Sequence, residues 1–319
     1  MSNLRKWLDE KEMPMYTNAE RLAAVLYTLG IASKDQLRIL TNWTENQLNE
    51  AIRSLRGKVP FPEALRVERN RIKEMEKDKE LRNSVEFVEL KAKYTDKYKR
   101  IEEERDKWLV VIRPKMNSST YYTLGEKGTK LACDIRFEPY SRWKVVPRVQ
   151  IRHFTGINDV LCRIRQAGVL EADWLCGREA ERELYYYWNR YVKRPGFTEK
   201  GYDKKLTCKP DAYLELEDQR YYIEFDAGTE SRGKLRDRFY NYLKLWNTVN
   251  EALPAETVIW VCTNERRKNQ IIDAANTAFD HYCQDYVIDS PVVPKSFVFV
   301  EGEETDFLLG KTEAEPFWG

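Results

Sequence analysis

The residues best suited to chemistry lie between positions 209 and 226. Lys209-Pro210-Asp211 opens one apolar run, and Tyr222-Ile223-Glu224-Phe225-Asp226 closes the next. A turn at Asp218-Gln219 separates them, so residues 212–217 and 220–226 are expected to form a hairpin. Side chains alternate along a strand, which puts Glu224 and Asp226 on one face and Ile223 and Phe225 on the other. The hairpin can bring Asp211 and Glu224 together at one end of a sheet. Carboxylates that close raise each other's pKa unless a cation offsets them. Oxygen-only ligands suit Mg²⁺ or Mn²⁺. Water activated by such a metal could attack a phosphodiester.

Other chemistries find little material. The chain has two histidines, His153 and His281, and six cysteines with no C-x-x-C pair. A structural zinc site and a disulfide framework are therefore not expected. A phosphate-binding Gly-x-x-x-x-Gly-Lys loop is absent, as is a Ser-His-Asp arrangement. His153 reads as a capping or core histidine, and Tyr185-Tyr186-Tyr187-Trp188 as helix packing rather than a base-stacking platform.

The elements that must position the carboxylates follow an alternating pattern. Helices are expected over 151–167 and 177–191, with a strand at 169–174 between them. A polar loop covers 192–206. After the hairpin come a helix at 234–249, a buried strand at 257–262, a helix at 269–282 and a last strand at 296–300. That order predicts a mixed-sheet α/β domain over 151–319.

The preceding part has a different character. Helices at 18–29, 33–40 and 44–56 carry apolar residues at helical spacing, with Gly30 closing the first and Ser33 and Thr44 capping the others. Two short helices joined by a tight turn form a helix-turn-helix. In the third helix Leu48, Ile52 and Leu55 should face inward. Asn46, Gln47, Asn49, Arg53 and Arg56 should face outward, where Asn and Gln can read adenine edges and Arg can read guanine or phosphate. Strands at 108–112 and 119–124 flank a basic turn containing Arg113 and Lys115, which reads as a wing, and a short helix at 126–133 follows.

Between recognition helix and wing lies 63–107, a stretch dense in Lys, Arg, Glu and Asp with no Gly. It reads as an inserted helical hairpin broken near Asn83-Ser84, acting as a solvated spacer, a dimerising coiled coil or a DNA-contacting arm. The expected organisation is thus an N-terminal winged helix over 1–134, a linker over 135–150 and the α/β domain. Fifty-four Lys and Arg against 52 Asp and Glu argue against a polycation, though a local basic face fits a neutral total. The N-terminus has no apolar signal region, and no run is long enough to span a bilayer. A cytoplasmic protein in a reducing compartment is expected.

Pro-Asp, a hairpin and Glu-x-Lys are the signature of the PD-(D/E)xK nuclease superfamily, which this hairpin resembles through Asp211 and Glu224. The resemblance implies that both bind metal. It also implies a helical glutamate, Glu179 in preference to Glu183, and a lysine that helps to activate water. Asp226 stands at the lysine's place, a departure, so the lysine would come from the next helix as Lys234 or Lys244, or less directly from Lys209.

A wider likeness is to the plasmid replication-relaxation family, which pairs a winged helix with a nuclease-like domain. It rests on His153 with Asn158-Asp159, Trp174 with Glu179, Pro210-Asp211-Ala212, Glu224 with Asp226, the run through Gly228 to Tyr242, and Tyr121 to Gly128 in the wing. The likeness spans most of the chain outside 63–107. It implies a restriction-endonuclease-like fold and a DNA-binding protein of a plasmid or mobile element, acting in replication, relaxation or transfer. The nuclease-like domain would nick or cleave DNA with Mg²⁺ or Mn²⁺. The alternatives are a non-catalytic DNA-binding accessory and a winged-helix transcription regulator. Expected partners are double-stranded DNA, a second copy through 63–107, and other replication or transfer proteins, with no membrane.

Overall fold

A computed structural model describes residues 4–8, 13–114, 119–140, 150–170, 172–177, 179–184, 208–216, 219–248, 257–287 and 289–318. They fall into two compact units, Glu10–Pro147 and Met1–Asp9 with Arg148–Gly319. The architecture is mixed α/β with two sheets.

In the unit Glu10–Pro147, three helices begin with capping boxes. Thr17 and Glu20 open Asn18–Leu29, Ser33 and Gln36 open Lys34–Thr41, and Thr44 and Gln47 open Glu45–Gly57. In each, the cap hydroxyl and the third residue's side chain satisfy backbone N–H groups that the helix start leaves free. Gly30, at φ 73°, and Asn42, at φ 53°, close the first two in left-handed backbone. Leu22, Leu26, Leu37, Leu40, Leu48 and Leu55 are buried. Ile52, expected inside, is only half-buried because Ala51 takes the inner position beside Leu55.

Against these helices lies a small antiparallel sheet, in spatial order β1 (Ile31–Ser33), β3 (Tyr121–Leu124), β2 (Leu109–Ile112). β1 was not expected, since three residues carry no periodicity. The helix Glu126–Arg136 follows β3. The charged stretch forms Glu63–Lys77, Lys79–Arg82 and Val85–Asp106. Asp78 caps the short middle helix, and Ser84 caps the last. Ile72, Met75 and Phe87 form the hairpin's own core, with Leu90 and Tyr94 packed on it. Val67, Leu81, Val85, Val88 and Tyr98 of the same stretch stay exposed.

In the other unit the sheet order is β4 (Asp173–Cys176), β5 (Ala212–Leu216), β6 (Gln219–Asp226), β7 (Thr257–Cys262), β8 (Lys295–Val300). The first two pairings are antiparallel and the last two parallel. β4 begins four residues later than its apolar run suggested. Helices Arg232–Thr248 and Glu265–Tyr286 cover one face, where Tyr222, Val258 and Trp260 join Phe239, Tyr242 and Ile271 in one core. Ile151–Gln166 and Glu303–Leu308 cover the other, through Phe225 against Gly156 and Phe307 against Phe297 and Phe299. The helix Leu4–Leu8, expected with the N-terminal domain, buries Leu4, Trp7 and Leu8 and belongs to this unit. Residues 179–184 are helical. The rest of the helix expected to 191, the loop 192–206 and most of the linker 135–150 lie outside the described residues. All six cysteines are free. Among the described residues no helix is long and apolar enough to cross a membrane.

Candidate functional site

Asp211 stands one residue before β5. Ala212 pairs with Ile223, so Asp211 opposes Glu224, and its N–H donates to the Ile223 carbonyl at 3.0 Å. Asp211 Oδ2 accepts the Phe225 N–H at 2.8 Å, fixing the carboxylate against β6. The hairpin therefore brings Asp211 and Glu224 together as their spacing suggested. They line a cavity of about 510 Å³ with His153, Lys209, Thr229, Arg238 and Tyr242 among its other walls.

A cation already sits between the carboxylates. Arg238, from the helix Arg232–Thr248, contacts Glu224 Oε2 through Nη2, and the same nitrogen lies 3.6 Å from Asp211 Oδ2. Its Nη1 reaches Glu230 at 3.2 Å, and the guanidinium lies over the Trp260 ring at 5.1 Å. Tyr242, one turn on, donates to Glu224 Oε1 at 2.6 Å. From the opposite helical layer His153 places Nε2 3.1 Å from Asp211 Oδ1 and Nδ1 3.1 Å from the Phe225 carbonyl.

Burial raises the pKa of Glu224, with Arg238 and Tyr242 opposing it and Asp211 adding to it. Burial pushes Asp211 the same way, but His153, Arg238 and the Phe225 N–H outweigh it and hold the carboxyl below its ordinary value. Burial works against the charged Arg238, yet Glu224, Asp211 and Glu230 raise its pKa further.

The expected divalent ion does not fit this arrangement. The bridging position between Asp211 and Glu224 is taken by a guanidinium nitrogen, and His153 and the Phe225 N–H occupy further lone pairs of Asp211. Among the described residues, no three His, Cys, Asp or Glu side chains are grouped to hold an ion.

Of the other proposed members, Asp226 and Lys209 line the same cavity but are paired elsewhere, and the rest lie outside its wall. Asp226 shares Glu224's face but is spent on Arg267 Nε and on the Gly228 N–H at 2.9 Å. Arg267 also donates to the Glu230 carbonyl at 2.7 Å. Glu179, half-buried in residues 179–184, is not in the cavity wall. Glu183 is buried, which raises its pKa, as does Glu215 near the far end of the hairpin. Lys234 is exposed, Lys244 lies over Tyr240, and Lys209 lines the cavity while paired with Glu181 at 3.6 Å.

Sequence reasoning missed Arg238. Its signal is its place on the buried stripe of its helix, three residues after Leu235 and four before Tyr242. A charge on such a stripe calls for a buried partner. His153 was read as a core or capping group, and its contact with Asp211 makes it part of the site.

In the other unit, Asn46, Gln47 and Arg53 are exposed on Glu45–Gly57 and Asn49 is half-buried. Gln47 also serves the Thr44 cap. Arg56, expected to be exposed, is half-buried and pairs with Glu102 at 2.8 Å and Asp106 at 3.2 Å, at the root of the charged hairpin. Arg113 is exposed, and Lys115 lies outside the described residues.

A family model described as replication-relaxation matches residues 89–259, just over half of the chain. The matched segment includes Asp211, Glu224 and Arg238. It also takes in most of the second long helix of the charged hairpin, a stretch outside the likeness drawn from the sequence, and omits the helices before it. No curated protein and no solved structure matches the chain.

Proposed function

Because the chain belongs to the replication-relaxation family, we propose that it is a DNA-binding protein acting in the replication, relaxation or transfer of a plasmid or mobile element. The N-terminal unit is a winged helix-turn-helix that holds double-stranded DNA. The other unit has a restriction-endonuclease-like frame used for binding rather than cutting. The observation that carries DNA binding is the helix Glu45–Gly57. It buries Leu48, Ala51 and Leu55 and presents Asn46, Gln47 and Arg53 to solvent. Asn and Gln on such a helix read adenine edges, and Arg reads guanine or a phosphate. Arg113, beside the hairpin turn, adds a backbone contact of the kind that fixes register without reading sequence.

Fluorescence anisotropy on duplex DNA tests this, with wild type against the Asn46→Ala, Arg53→Ala double variant. Affinity should fall by about tenfold or more, since one good base contact is worth about 1–3 kcal/mol. The salt slope should shrink by roughly one phosphate's worth if Arg53 touches the backbone. Equal affinity would remove the recognition-helix reading.

A second reading, a nickase using Mg²⁺ or Mn²⁺, is favoured by the opposed Asp211 and Glu224 at a cavity. It requires Arg238 to leave its place. Nicking of supercoiled plasmid by wild type and not by Asp211→Ala would establish it.

A further inference from the structure

We infer that Arg238 is the resident cation of the Asp211–Glu224 pair, so that its guanidinium closes a latent divalent-cation site. The argument begins with one nitrogen. Nη2 contacts Glu224 Oε2 and lies 3.6 Å from Asp211 Oδ2, so it stands where an ion bridging the two carboxylates would stand. The guanidinium is held there from several sides. Nη1 is 3.2 Å from Glu230, the group lies over Trp260, and its helix is packed through Leu235 and Phe239. Glu224 is 1% exposed, so water contributes little to neutralising it. Asp211 gains further compensation from His153 and the Phe225 N–H. A divalent ion entering here would place two positive charges against the guanidinium that these contacts hold between the carboxylates. Removing the guanidinium reverses the balance. Two opposed carboxylates then face a cavity of about 510 Å³ with no cation between them, which is the condition that favours a hard cation with oxygen ligands.

This inference is independent of DNA binding by the other unit, and its test uses no DNA. Mn²⁺ binding is measured on the full chain after chelator treatment, by electron paramagnetic resonance and by the shift in melting temperature. The wild type should show no saturable Mn²⁺ binding that depends on Asp211. Arg238→Ala and Arg238→Gln should each bind Mn²⁺ at least about tenfold more tightly than the wild type, with a rise in melting temperature. The Asp211→Asn change added to either should abolish both effects. Should either variant fail to fold without metal, Mn²⁺ must restore its native circular dichroism, and failure to do so overturns the inference. It is equally overturned if the wild type binds Mn²⁺ as tightly as the variants, or if folded variants bind none.

Discussion

Nε2 of His153 lies 3.1 Å from Oδ1 of Asp211. The other ring nitrogen lies 3.1 Å from the Phe225 carbonyl oxygen. A carboxylate and a carbonyl both accept, so the ring satisfies both only when it is protonated and donates from each nitrogen.

The first prediction follows from that charge. Burial lowers the pKa of His153, but the hydrogen bond and charge of Asp211 outweigh it, and the folded value lies above the ordinary one. A raised pKa means that the folded state holds the proton more tightly than the unfolded state. The stabilisation is therefore complete below the ordinary imidazole value of about 6.5 and is lost as pH rises through the folded value. His153→Ala should cost about 1.5–3 kcal/mol in acid solution, as expected for a hydrogen bond to a charged group. The cost should shrink as pH rises. Urea melts of both proteins across that range check it, and a pH-independent difference would contradict the imidazolium.

A second prediction concerns the place of the missing lysine. Asp226 points to Arg267, not to the Asp211–Glu224 pair, and both partners are buried. Asp226→Lys would restore the superfamily pattern in sequence while setting two cations against each other in the interior. Breaking a buried pair by removing one partner costs about 3–5 kcal/mol. Chemical denaturation should show a loss of that order, and the variant should gain no metal-dependent nicking. A stable, nicking Asp226→Lys protein would mean that position 226 reaches the carboxylate pair.

Much of this was legible in sequence where a local rule decides. The three capped N-terminal helices, the strand 257–262 and the facing of Asp211 and Glu224 follow from caps and strand alternation. What failed depends on partners far away along the chain. Position 226 was read by its distance from Glu224, but its partner is Arg267, from another helix. Position 238 was passed over for Lys234 because the choice rested on residue type and nearness, whereas burial of the helix stripe selects Arg238. Leu4–Leu8 was placed with the winged helix over 1–134 because five residues cannot reveal which core receives them.

The charged hairpin carries a third prediction. Phe87, Ile72 and Met75 are its only fully buried apolar cluster among the described residues of 63–106, apart from Leu65 nearer its base. Its many ion pairs are mostly exposed and each contributes little. Phe87→Ala, a truncation of the kind that costs about 3–5 kcal/mol in a core, should therefore open the outer hairpin locally. Hydrogen exchange should accelerate in the outer part of 63–106 while protection elsewhere persists. Unchanged protection would show that the charged surface holds the helices together.

The last prediction tests how the helix bearing His153 is seated. Gly156 lies three residues further along Ile151–Gln166, and a methyl group there would come within 2.0 Å of the Phe225 ring. Phe225 is 1% exposed, on β6 between the paired strands β5 and β7, so it has little room to yield. Overpacking of a dense interior usually costs about 1–3 kcal/mol, and Gly156→Ala should lie at the upper end. The helix must lift from the sheet, which carries His153 away from Asp211 and returns its pKa towards the ordinary value. Gly233→Ala is the control, because a methyl group there meets open space. Replacing glycine by alanine in a helix gains up to about 1 kcal/mol, so that variant should be as stable as wild type or slightly more so. Thermal melts and a histidine ring titration on both variants separate the effects. A Gly156→Ala protein with wild-type stability and an unchanged His153 titration would show that the helix is not seated on Phe225.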